Sequence, residues 1–89
     1  MRIKRLNWDK RNVFHVARHG ITVKDVEDVC SGKHIARKVK DRYLIFGETE
    51  ARRYIFIVLE KTGDNFRPIT ARDMSESEKK IYKKKKKKK

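Results

Sequence analysis

Cysteine, proline and glycine are all scarce in this sequence: Cys30 and Pro68 stand alone, and the four glycines are isolated from one another. A single cysteine excludes an intramolecular disulfide and a cysteine-rich zinc module, and it fits a reducing compartment. Isolated glycines exclude a Gly-rich phosphate loop, and with no Gly-x-Ser-x-Gly elbow either, nucleotide hydrolysis and acyl transfer have no support. Long apolar runs are missing too. The longest, Tyr54 to Leu59, is far too short for a bilayer, and the opening MRIKRLNWDK lacks the apolar stretch of a signal peptide. A soluble cytoplasmic protein with no membrane contact is expected. Negative charge is the last shortage: 12 Asp and Glu face 26 Lys and Arg, a formal net charge of +14. The run Lys83 to Lys89 holds seven of the positive charges, and residues 1–82 still carry +7 without it. Polyanions are the expected partners.

What is present points to one small domain. The 89 residues leave no room for a second core, and although 43% are charged, the 37% that are hydrophobic cluster in blocks, so a compact interior is feasible. The reading is a single domain over residues 1–82 followed by a poly-lysine tail over 83–89. Arg2 to Trp8 alternates basic and apolar residues in the manner of an edge strand. Val13, Val16 and Ala17, with Phe14 beside them, then recur at helical spacing after a cap at Asn7 or Asp9 and before a stop at Gly20. Thr22 opens a second helix whose apolar stripe is Val23, Val26, Val29 and Cys30, ended by Gly32.

Beyond Gly32 the period changes to two. His34 to Val39 and Tyr43 to Phe46 read as a hairpin turned at Asp41–Arg42, and Arg53 to Leu59 reads as a central strand covered on both sides. A turn at Thr62 to Asn65 leads into Phe66 to Ala71, where Pro68, lacking an N–H, requires an edge position or a bent ladder. Ser75 and Glu78 have capping-box spacing for a last helix through Ile81 and Tyr82, which either frays into the lysines or hands over to a disordered arm. The expected fold class is α+β, with two N-terminal helices and a C-terminal helix packed on an antiparallel sheet.

His15 and His19, four apart on the first predicted helix, have the spacing of two zinc ligands. No third ligand is evident, so neither metal nor any cofactor is expected. Cys30 falls on an apolar stripe and reads as a small core residue. The basic residues of the sheet are more informative. Alternation sends Arg67 and Ile69 to one side, Arg72 can turn either way, and Arg53 and Arg42 are placed to converge with them on one rim. Arginine forks match phosphate oxygens, and RNA brings its own nucleophile in the 2′-hydroxyl, so arginines with a general base and acid suffice for metal-free cleavage. His19, Glu48 and Tyr82 are available for the acid and base roles. A solvated, carboxylate-paired sheet edge explains the same arginines without chemistry. Lys83, Lys84 and Lys85, like the rest of the tail, either solubilise the chain or bind phosphates without choosing a sequence.

Trp8-Asp9, Arg18-His19-Gly20-Ile21 before an acidic helix, Asp41 to Gly47, Arg53, Thr62-Gly63-Asp64, and Arg67-Pro68-Ile69-Thr70-Ala71-Arg72 with Glu78 and Tyr82 follow one another in an order that resembles the BrnT-type toxins. The likeness spans residues 8–82, and its most specific part is the R-x-I-[ST]-A-R element before a capped helix. It implies a RelE-like α+β domain, a ribonuclease that blocks translation with or without the ribosome, and a ribbon-helix-helix antitoxin whose complex binds operator DNA. It also implies that Arg53, Arg67 and Arg72 match family arginines, His19 the family's Lys-His-Gly histidine and Tyr82 its late tyrosine. The chain departs from the pattern in a shorter Trp8-to-His19 spacing, in His15 where the family has asparagine, in Pro68 for an aliphatic residue, and in the lysine tail. A non-catalytic basic nucleic-acid-binding or regulatory module, or an interaction scaffold, is the alternative.

Overall fold

Caps decide where the first two helices begin. The Asp9 carboxylate accepts the Asn12 N–H at 2.8 Å and starts α1 (Lys10–Ala17), and Thr22 and Asp25 exchange bonds of 3.0 and 3.1 Å in a capping box that starts α2 (Val23–Ser31). In this computed structural model, which describes residues 3 and 5–87, a four-stranded antiparallel sheet and a third helix follow: β1 (His34–Val39), β2 (Arg42–Glu48), β3 (Tyr54–Thr62), β4 (Asn65–Asp73) and α3 (Glu76–Lys87). The strands pair in chain order, β1-β2-β3-β4, so every connection is a hairpin. The fold is the expected α+β class.

The sheet has two unlike faces. Ile45, Ile55, Ile57, Leu59 and Ala71 point to one of them and close a core with Val16 of α1, Ile21, and Val26, Val29 and Cys30 of α2. Gly47, paired with Ile55, lets α2 lie close: a Cβ there would stand 2.7 Å from Val29 Cγ1. Cys30 is a core residue, and its burial pushes the thiol up to about 12, leaving it a neutral hydrophobe rather than a nucleophile. The opposite face carries Leu44, Phe46, Tyr54, Phe56, Val58, Glu60, Arg67 and Arg72, all at least partly exposed.

Several expectations shift in detail. Val13, Phe14 and Ala17 do not face the core: α1 buries only Asn12 and Val16, a narrower stripe than the sequence offers. The first hairpin turns at Lys40 and Asp41, with Lys40 at φ 59°, so Arg42 is the first residue of β2, paired with Val39. Arg53 lies just outside β3. The N-terminal stretch forms no strand among the described residues, though Leu6 bridges Phe66 in parallel along the edge of β4; Arg2 and Lys4 lie outside them. Pro68 meets both of its requirements, sitting on an edge strand where the register with β3 slips between Val58 and Leu59. Of the two alternatives for the lysines the helical one is seen, since α3 continues through Lys87. No described helix is long and apolar enough to cross a membrane.

Candidate nucleic-acid interface

A one-residue bulge assembles the arginines. Leu59 pairs with Pro68 and Val58 with Thr70, which leaves Ile69 as the extra residue in β4. Five positions separate Arg67 from Arg72, an odd number that in a regular strand sends them to opposite faces. The extra residue restores the parity, and both lie on the face opposite α1 and α2: Arg67 across from Glu60, Arg72 across from Phe56. Arg42 joins them, since it pairs with Glu60 from the other side. The result is a row of arginine, glutamate and arginine on three adjacent strands, with neighbouring Cβ atoms about 5 Å apart.

Two of the three arginines on this face are held by carboxylates. Arg67 Nη2 donates to Glu60 Oε1 at 2.8 Å. The Arg72 fork grips Glu78 through two bonds of 2.8 and 3.0 Å, with Nη1 also donating to the Asp73 carbonyl and the guanidinium lying 4.4 Å from the Phe56 ring centroid. Phe56 in turn packs against Phe46, centroids 5.0 Å apart. Two aromatic rings beside Arg72, on the face that also carries Arg42 and Arg67, offer what single-stranded RNA needs, planes for bases and forks for phosphates.

One end of the face is closed by α3, and helix geometry explains how. Glu78, Tyr82 and Lys86 are spaced i, i+4, i+8, about 6 Å apart along the axis, close to the ~4.8 Å between strands. They therefore step across the sheet: Glu78 binds Arg72 of β4, the Tyr82 ring meets Tyr54 of β3 edge-on at 5.9 Å, and Lys86 pairs with Glu48 of β2. The helix starts with the predicted capping box, Ser75 N–H to Glu78 at 2.8 Å and Glu78 N–H to Ser75 Oγ at 3.2 Å. The Glu78 carboxyl is held below its ordinary range, first by the Arg72 hydrogen bond and, against the pull of burial, also by Ser75. Lys83 lies 5.1 Å from the Tyr54 ring centroid, and Lys84 and Lys85 are exposed on the same helix.

Tyr82 is 3% exposed, and burial followed by the Glu48 charge pushes its phenol up to about 12. At neutral pH it is a protonated donor to Glu48, at 3.4 Å, and not a base. Tyr82 is expected to give a late component in a 295 nm titration, and Tyr82→Phe is expected to remove it. Because the folded state holds the proton more tightly than the unfolded chain, stability is lost as pH rises from about 10 toward 12. A Tyr82→Phe protein whose titration matches the parent's overturns this assignment.

The remaining sequence candidates stand elsewhere. Arg53 does not converge with Arg67: its Nε and Nη2 bind Asp73 at 2.7 and 3.1 Å, its Nη1 donates to the Gly20 carbonyl at 2.8 Å, and Asp25 is 3.8 Å away. Asp73 pairs with Ile55, so this cluster belongs to the helix-covered side, where it ties the α1–α2 loop to the sheet. The Arg53 hydrogen bond keeps Asp73 ionised below the ordinary carboxylate range. His19 sits in that loop and not in α1. The helix ends at Ala17, and Ile21 N–H bonds back to the Val16 carbonyl around Gly20 at φ 72°, a glycine-closed terminus. The His15 and His19 rings are 6.3 Å apart, edge to face, and no cluster of three metal-ligating side chains occurs among the described residues. Glu60 is the residue that sequence reasoning missed. Its signal was available, since a glutamate ending an apolar run is conspicuous, but its partners come only from strand register. Compared with known proteins, the chain matches no family model and no curated protein sequence.

Proposed function

We propose that this protein is an endoribonuclease toxin of a type II toxin–antitoxin pair, cutting RNA on the sheet face opposite α1 and α2. The observation that carries the reading is the row Arg42, Glu60, Arg67, a carboxylate flanked in register by two arginines and bonded to one of them, on the same face as the Phe46–Phe56 pair. The order of motifs shared with BrnT-type toxins supports the same reading. An RNA phosphate entering the row displaces Glu60 from Arg67 and is held by the Arg67 and Arg42 forks. The freed carboxylate then accepts the proton of the 2′-hydroxyl, whose oxygen attacks the phosphorus. A 2′,3′-cyclic phosphate forms, and the leaving 5′-oxygen takes a proton from water. Arg42 and Arg67 stabilise the extra negative charge of the transition state, and Arg72 holds the flanking chain. A ribbon-helix-helix antitoxin is the proposed neutralising partner, and the cytoplasm the proposed site of action.

A second reading, binding without cleavage, is favoured by one observation: Arg53, Arg67 and Arg72 are each already paired with a carboxylate. Expression in a bacterial host separates the two. The parent is expected to arrest growth and fragment RNA, and the Arg67→Ala/Arg72→Ala protein, shown to be folded by circular dichroism, is expected to do neither. Normal growth and intact RNA with the folded parent select the binding reading. Equal toxicity of the double variant places the chemistry elsewhere.

A further inference from the structure

The outer side of α1 is apolar where the fold gives it nothing to cover. Lys10, Val13, Phe14 and Ala17 are spaced i, i+3, i+4, i+7, one continuous stripe, and it is the stripe that does not face the core. Phe14 is 69% exposed, the largest exposure among the big apolar side chains of the described residues, and Val13 is 39% exposed. With Trp8 and Asp9 these residues line a shallow groove beside the helix. Scattered exposed apolar residues are ordinary, but three adjacent ones along a groove that a half-buried tryptophan completes mark an interaction surface.

Charge decides what fits there. Lys10 and Arg11 on the helix and Arg18 at its C-cap are exposed, and the one acid in the groove, Asp9, is committed to the α1 cap. A second copy of this chain docked stripe to stripe brings these cations against their own kind, on top of a net charge of +14. A lipid surface favours a longer amphipathic helix than the eight residues of α1. Single-stranded RNA has the sheet face, whereas this groove offers aliphatic Val13 and Ala17, which suit side-chain knobs more than base planes. Two turns of exposed stripe, about 10 Å long, match the footprint of one side of a short helix. We infer that the groove formed by Trp8, Val13, Phe14 and Ala17 is a docking site for an acidic amphipathic helix of a partner protein. The site lies on the helix-covered side of the sheet, and it stands whether or not the chain cuts RNA.

Trp8 is the only tryptophan and lines the groove, with its Nε1–H donated to Glu27 of α2 at 3.2 Å, so its emission reports on the groove and that contact, and the Phe14 and Val13 variants assign a change to the groove. The probe is a synthetic peptide of glutamate, alanine and leucine with leucines at i, i+3, i+4, i+7, compared with a scrambled peptide of the same composition, both titrated into the full chain at physiological salt. The patterned peptide is expected to shift Trp8 emission to the blue and saturate. Phe14→Ser is expected to weaken that binding about tenfold or more, the scale of losing an aromatic anchor. Val13→Ser, at a second exposed position, gives the same readout should Phe14→Ser alter the circular dichroism spectrum. Neutralising Lys83 to Lys86 is expected to leave the titration unchanged. The inference is overturned if the scrambled peptide binds equally, if neither serine variant weakens binding, or if the patterned peptide leaves Trp8 unmoved. It is also overturned if the Phe14-dependent response comes instead from raising the protein's own concentration, from anionic phosphatidylglycerol vesicles, or from an oligouridylate.

Discussion

Replacing Glu60 with glutamine is expected to slow RNA cleavage by about 10²–10⁴-fold, the loss that follows removal of a general base. Glutamine keeps the shape of the side chain and still accepts a hydrogen bond from Arg67, so the local packing survives. It cannot take a proton from a 2′-hydroxyl. RNA affinity is expected to hold or rise slightly, because the carboxylate that competes with phosphate for Arg67 is gone. That separation, chemistry lost while binding is kept, distinguishes Glu60 from the arginines. Arg67→Ala removes the proposed phosphate contact and leaves the Glu60 charge unpaired, so both binding and rate are expected to fall. The measurement is single-turnover cleavage of a labelled RNA alongside a filter-binding titration. Cleavage by Glu60→Gln at the parental rate sinks the assignment and returns the base role to the residues named from sequence, His19 first.

The elements of this fold were written locally, and its site was not. The caps at Asp9, Thr22 and Ser75 lie within three residues of their partners, which is why helix starts were legible from the chain alone. The hairpins were legible for the same reason, apart from the one-residue displacement of the first turn to Lys40–Asp41. Whether Arg72 shares a face with Arg67 depends on the bulge at Ile69, a feature of how two strands mate and not of either strand's composition. Arg53 has a similar lesson. Its spacing allowed convergence with the other arginines, but three partners from the α1–α2 loop, α2 and β4 draw it to the opposite side. The apolar residues of α1 misled in a different way. Val13, Phe14 and Ala17 have helical spacing, yet the core admits only the turn that carries Val16, so periodicity identified the helix without identifying its buried side.

The largest effects on stability are expected where α2 meets the sheet, and they follow from opposite errors of volume. Ile57 is fully buried on the third of four strands, and Ile57→Ala is expected to cost about 2–5 kcal/mol through lost burial and the cavity left behind. Gly47→Ala adds only a methyl group, but that carbon would meet Val29 Cγ1 at 2.7 Å and His34 Cβ at 3.2 Å. Neither neighbour is the free end of a long side chain, so α2 must move off the sheet or β1 must shift, at about 1–3 kcal/mol. A domain of this size buries only about 60% of the surface of its unfolded chain, so either loss is a large fraction of the whole stability. Gly63→Ala is the control, since nothing lies within 4 Å of its Cβ position and only the backbone at φ 63° resists. Urea unfolding followed by far-UV circular dichroism should rank Ile57→Ala as least stable, with Gly47→Ala well below the parent. A Gly47→Ala midpoint equal to the parent's means that α2 does not rest on the backbone of β2, and the core described above must then be looser than its distances state.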